Sequence, residues 1–86
     1  MAERETTVGA AEGLHARPMK ELVDAAKRFS SRIVLVKGGK EANAKSPIKL
    51  LGLGAKKGDS VVIRAEGDDA EEAVDALAEL ISGNEH

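Results

Sequence analysis

Apolar positions along this chain alternate between two spacings. Arg4–Val8 places them at every second residue and predicts a first strand, after which Gly9 to Gly13 is small and turn-prone. From Ala16 the period lengthens. Met19, Leu22, Val23, Ala26 and Phe29 recur at three- and four-residue steps, the stripe of an amphipathic helix that Ser30-Ser31 ends. Pro18 suits its first turn, where a missing N–H leaves no bond unmade. Arg32–Lys37 carries Ile33, Val34, Leu35 and Val36 and predicts a second strand; Gly38-Gly39 marks a hairpin, and Lys40–Ala44 returns as a third. Ser46-Pro47 is a helix cap followed by a first-turn proline, opening a short helix from Pro47 that ends at Gly52 or Gly54. Gly58-Asp59 is a turn and Ser60–Glu66 alternates as a fourth strand. After Gly67, Asp68 or Asp69 caps a last helix whose apolar face is Ala70, Ala73, Val74, Leu77 and Ile81. Its acidic first turn (Asp69, Glu71, Glu72) suits the positive end of the helix dipole.

The order β-α-β-β-α-β-α in 86 residues predicts one α+β domain over residues 1–86, two layers deep. Helices cover one face of a four-stranded sheet and the other face stays largely open. Composition narrows the function classes. Phe29 is the only aromatic residue, which argues against a stacking surface for single-stranded nucleic acid. There is no cysteine, so neither disulfides nor thiolate metal sites hold the fold. No apolar run approaches the roughly 20 residues that span a bilayer. Met1-Ala2-Glu3-Arg4-Glu5 is unlike a secretory signal, so the expectation is a cytoplasmic protein without membrane insertion.

Net charge is −2, but its distribution is lopsided. Residues 13–57 hold eleven Lys or Arg against three acids, whereas residues 58–86 hold one Arg against nine. A basic stretch of that size either forms ordinary solvated faces or meets an acidic or phosphorylated partner. Nucleic acid is disfavoured, because the positive charge comes without aromatic interleaving or a binding motif.

Gly13-Leu14-His15-Ala16-Arg17-Pro18 is where chemistry concentrates. The pattern sets His15 at the mouth of a helix, where unpaired backbone N–H groups and the positive dipole end would stabilise a phosphoryl group on the imidazole. Arg17, two residues on, offers a planar fork of donors to phosphate oxygens. The same positive surroundings favour the neutral, nucleophilic imidazole. A lone histidine near a helix start is more often a surface or cap residue, and only its neighbours argue otherwise. His86, at the C-terminal end, lacks such a context. No His-x-x-x-His spacing points to a metal and no cofactor is implied. Neither a Ser-His-Asp nor a paired-carboxylate signature points to a hydrolase.

Gly-Leu-His-Ala-Arg-Pro resembles the active-site signature of the histidine-containing phosphocarrier (HPr) family of the bacterial sugar phosphotransferase system. Asn43-Ala44-Lys45-Ser46, Lys49-Leu50, Leu53-Gly54, Lys57-Gly58-Asp59 and Ala65-Glu66-Gly67 also fall where that family has similar residues. The likeness spans essentially the whole chain and implies the family's open-faced β-sandwich. It further implies a relay. Enzyme I, charged by phosphoenolpyruvate, phosphorylates Nδ1 of His15, Arg17 neutralises the phosphoryl oxygens, and the group passes to Enzyme IIA domains of sugar permeases. The chain is then a monomeric carrier with a covalent intermediate rather than a complete enzyme.

Ser46 matches a position that a dedicated kinase modifies in many Gram-positive relatives. Here it is equally a helix cap, and the family's large apolar residue is replaced by Pro47. The resemblance also implies a docking patch of Leu14, Pro47, Ile48 and Leu51, rimmed by Arg17, Lys20, Lys45 and Lys49. Leu50 and Leu53 would turn inward. Met19-Lys20 departs from the small residues usual there and bears on partner choice. Two other roles use the same fold: a regulatory protein of a nitrogen-related branch, binding transcription factors or kinases, and a silent interaction module. Silent relatives lose the histidine, so intact His15 and Arg17 weigh against the module.

Overall fold

The computed structural model of the chain describes residues 2–9, 16–54, 56 and 58–82, with the backbone alone for 16–19. The elements are β1 (Ala2–Thr7), α1 (Ala16–Lys27), β2 (Arg32–Lys37), β3 (Lys40–Asn43), α2 (Pro47–Leu53), β4 (Ser60–Glu66) and α3 (Ala70–Ser82). The element order follows the apolar spacing, and β2 and β4 match their expected limits. Three boundaries move, each for a local reason. β1 takes its limits from its partner, since Ala2 lies opposite Ala65 and Thr7 opposite Ser60. β3 stops at Asn43, one residue early, where the Asn43 side-chain oxygen accepts the Lys45 N–H at 2.8 Å and turns the chain. α1 ends at Lys27. The N–H groups of Arg28 and Phe29 reach back only three residues, to the carbonyls of Ala25 and Ala26, and leave Phe29 past the helix, half-buried against the core.

The sheet is antiparallel throughout, in the order β1-β4-β2-β3. Gly38 and Gly39 both have positive φ, 54° and 85°, the two-residue hairpin turn whose twist suits β2 and β3. On one face Ile33, Leu35, Ala42, Val61, Ile63 and Ala65 are buried. α3 packs across β1, β4 and β2, α2 covers β3, and α1 lies against α3. The predicted α3 face is buried in full, together with Ala78, and α1 adds Leu22, Val23 and Ala26. The opposite face is open, which completes the α+β open-faced sandwich. Its rows read Glu3, Arg64, Val34, Asn43 and then Glu5, Val62, Val36, Glu41. Arg64 pairs there with Glu3 at 2.6 Å and with Glu41 at 3.7 Å. Exposed pairs of this kind each contribute about 0–1 kcal/mol. No helix among the described residues is long and apolar enough to cross a membrane.

Asp69 does more than the sequence suggests. Its backbone carbonyl accepts the Ala73 N–H at 2.9 Å and begins α3. Its carboxylate, instead of capping that helix, crosses to the end of α1. There it accepts from the Ser30 N–H (2.9 Å), the Ser31 N–H (3.0 Å) and the buried Ser31 hydroxyl. Gly67, at φ +143°, leaves room for this, because a Cβ there would sit 2.6 Å from the Ser31 oxygen. The C-terminal end of α1 is thereby fixed beside the N-terminal end of α3.

The Ser31 hydroxyl, followed by the Ser30 N–H, holds the Asp69 carboxyl below the usual 3.8. A carboxyl with a lowered folded pKa stabilises the fold above its unfolded value. That contribution disappears as pH falls through the folded value. Asp69→Asn is therefore expected to melt below the parent at neutral pH. The gap between the two chains should narrow steadily as pH is lowered beneath about 4. Thermal melts of both chains across pH check this, and a gap that stays constant into strong acid refutes it.

Candidate functional site

Leu14 and His15 lie outside the described residues. α1 begins at Ala16, the residue that follows His15, and its first turn contains no acid. Arg17 falls in that turn, and Lys20 one turn on is exposed, with its ammonium 3.4 Å from Asp24. α3 is the contrast, with Glu71 and Glu72 in its first turn. The first N–H groups of an α-helix carry partial positive charge, which acidic side chains offset. α1 has a cationic residue, Arg17, in the corresponding turn, so the sequence of that turn adds to the positive end of the helix.

α2 is built for a different task. Ser46 is its N-cap in extended conformation, φ −117° and ψ 109°, and its hydroxyl accepts the Lys49 N–H at 3.4 Å. Pro47 follows at the first helical position, and the Gly54 N–H closes the far end on the Leu51 carbonyl at 3.2 Å. The Lys37 ammonium reaches the Leu53 carbonyl at 3.4 Å. Leu50 and Leu53 are buried, as their spacing suggests, while Ile48 is 80% and Leu51 55% exposed. Pro47 and Lys49 are exposed beside them. Two bare apolar side chains on one short helix face form a patch suited to a partner.

Lys45 departs from its expected place on the rim. It is half-buried, and its ammonium donates to the Phe29 carbonyl at 2.9 Å. No periodicity in the sequence signals that contact, because donor and acceptor lie sixteen positions apart on different elements. The same bond locates Ser46 beside the C-terminal end of α1. Arg17 lies ten residues before the end of that helix, about 15 Å along its axis. Ser46 is thus joined, through its neighbour Lys45, to the residue just past the end of α1. Among the described residues no group of three His, Cys, Asp or Glu side chains is placed to hold a metal.

Comparison with known proteins assigns this fold to a class, the small phosphocarriers of the phosphotransferase system. A family model described as the PTS HPr component phosphorylation site matches residues 2–83, and the chain belongs to that HPr family. It is 44% identical over 81 residues to the phosphocarrier protein HPr of Vibrio cholerae, spanning 94% of this chain and 95% of that one. A crystal structure of HPr-C-His from Thermoanaerobacter tengcongensis superposes with a TM-score of 0.93 at 42% identity, over 100% and 99% of the two chains. An HPr dimer from the same organism matches at 0.76 and 47% identity, over 84% and 83%. A phosphotransferase-system phosphocarrier role comes with the family.

The cap geometry makes a specific expectation for Ser46. Ser46→Ala should lose about 0.5–2 kcal/mol of stability, whereas Ser46→Asp, which preserves an accepting oxygen, should stay within a few tenths of the parent. Urea melts of both variants measure this. Equal losses in the two would show that the hydroxyl does not cap α2.

Proposed function

We propose that the chain is a single-domain carrier that accepts a phosphoryl group on Nδ1 of His15 from phospho-Enzyme I and passes it to Enzyme IIA domains of sugar permeases. The observation that carries this reading is the start of α1. A helix of twelve residues opens immediately after His15 with a cationic first turn and no acid. Neutral imidazole attacks the phosphorus as the donor's bond to it breaks, and the same exchange in reverse delivers the group to the acceptor. The backbone N–H groups of the first turn and the Arg17 guanidinium balance the charge on the transferring oxygens. The chain supplies a nucleophile and a charged cradle and needs no cofactor.

Ile48 and Leu51, with Leu14 and Pro47, form the surface on which donor and acceptor alternate, and Lys20 and Lys49 draw acidic partners to it. Alternation favours a monomer that presents one face at a time, a point that sedimentation of the parent chain decides.

His15→Ala should fold as the parent does yet take no phosphoryl group from Enzyme I and phosphoenolpyruvate. Acid-labile label on that variant would move the site elsewhere, with His86 the first suspect. Arg17→Ala should remain modifiable but about ten- to hundredfold slower, the worth of one charged hydrogen-bond donor in a transition state. An unchanged rate at low salt would make Arg17 a bystander. Transfer from the labelled parent to sugar-specific acceptors, in preference to nitrogen-branch ones, completes the test.

A further inference from the structure

Lys45 stands apart from the other cations near the docking face. Its ammonium donates to the Phe29 carbonyl at 2.9 Å, just past the end of α1. The last carbonyls of a helix lack intrahelical partners and form the negative end of its dipole, so a cation brought there from another element is well placed. The segment carrying Lys45 is itself fixed. The Lys45 N–H bonds to the Asn43 side chain at 2.8 Å and the Ser46 N–H to the Asn43 carbonyl at 3.0 Å. Between them Ala44 is buried, with its N–H on the Ile33 carbonyl at 3.0 Å. The residue after Lys45 is the cap from which α2 starts. α1 packs more extensively on α3 than on α2, so a bond from the start of α2 to the end of α1 has consequences for where α2 lies.

We infer that Lys45 is a positioning residue for phosphoryl transfer, holding α2 and its exposed Ile48 and Leu51 in place relative to the helix that begins one residue after His15. This rests on the carrier reading above. A partner seated on α2 must bring its reacting group to the mouth of α1. The angle and offset between the two helices therefore govern how well a docked partner reaches His15. The Lys45 bond sets one end of that arrangement, while Lys37, on the Leu53 carbonyl, steadies the other. Lys49, exposed on α2 itself, has the different role of attracting an acidic partner through solvent.

Salt separates the two roles. The pull of an exposed cation fades as the screening length shortens from about 8 Å at physiological salt to about 3 Å at 1 M, whereas a short, half-buried hydrogen bond is little affected. The test uses the full chain as parent, Lys45→Met, Lys45→Arg and Lys49→Met. For each, the melt is recorded together with KM and kcat for phosphorylation by phospho-Enzyme I at low and at high salt. Lys45→Met should melt lower and raise KM on the order of two- to tenfold at both salt levels, with kcat close to that of the parent. Lys45→Arg, whose guanidinium can also donate to a carbonyl, should recover both properties. Lys49→Met should raise KM at low salt only and leave the melt unchanged.

An unchanged KM for Lys45→Met, whatever its melt, overturns the inference, as does a KM defect that vanishes at high salt. Failure of Lys45→Arg to recover KM after recovering the melt overturns it too. A parent chain that takes no label on His15 refutes the carrier reading itself, and the inference falls with it. A labelled parent with Lys45→Met behaving like Lys49→Met refutes the inference alone.

Discussion

Only one face of the sheet is covered, and the two inner strands have to satisfy that condition residue by residue. β2 and β4 are hydrogen-bonded along both edges, so each position on them has a fixed neighbour on either side and a fixed face. Shifting either strand by one residue would send Ile33, Leu35, Ile63 and Ala65 to solvent and bring Arg32, Arg64 and Glu66 into the core. The core itself is made from small and branched aliphatic side chains. Alanines at 70, 73 and 78 allow α3 to lie close on the sheet, and the larger Leu77 and Ile81 fill the layer between. Once α3 is seated, α1 can pack only beside it, and α2 covers the strand that α3 does not reach.

Charge in this molecule serves two ends at once. The basic stretch of the sequence invites reading as a surface for an acidic partner, and Lys20 and Lys49 are exposed as that reading requires. Lys37 and Lys45, from the same stretch, turn back to carbonyls at the ends of α2 and α1. Asp69, from the acidic stretch, gathers donors from Ser30 and Ser31 at the junction between α1 and β2. The termini of short helices are where such groups are most useful, because backbone polar atoms there have no partners of their own. The first turn of α1 carries no acid, and in the sequence it directly follows His15.

The fold was largely legible in the chain because its elements are short and strongly patterned. Alternation in Ser60–Glu66 and the three- and four-residue steps of α3 are local signals, and each recovered its element. The Ser46-Pro47 pair announced α2, and the split of Leu50 and Leu53 from Ile48 and Leu51 followed from the helical period. What local pattern could not contain were limits imposed from outside. β1 extends to Ala2 because β4 offers it a partner there, although Ala2-Glu3 has no alternation of its own. The Asp69 carboxylate reads as an ordinary cap until the Ser30-Ser31 turn, almost forty positions earlier in the chain, is folded against it. The Lys45 bond to the Phe29 carbonyl is absent from local pattern for the same reason. For the candidate site, the residue types were visible in one six-residue motif, whereas the bond from Lys45 to the end of α1 exists only once the two elements are packed.

Gly9 joins the two ends of the fold. Its N–H bonds to the Ile81 carbonyl at 2.9 Å, and a side chain at this position would run into the Ser82 carbonyl. The last turn of α3 is therefore latched to the residue from which the chain departs towards His15. Mechanical load on the C-terminal end of the polypeptide, from a fusion partner or an immobilising surface, would be transmitted to that departure point. Ala2 enters the sheet at the opposite end of β1, against Ala65, where the same load would be borne by strand pairing.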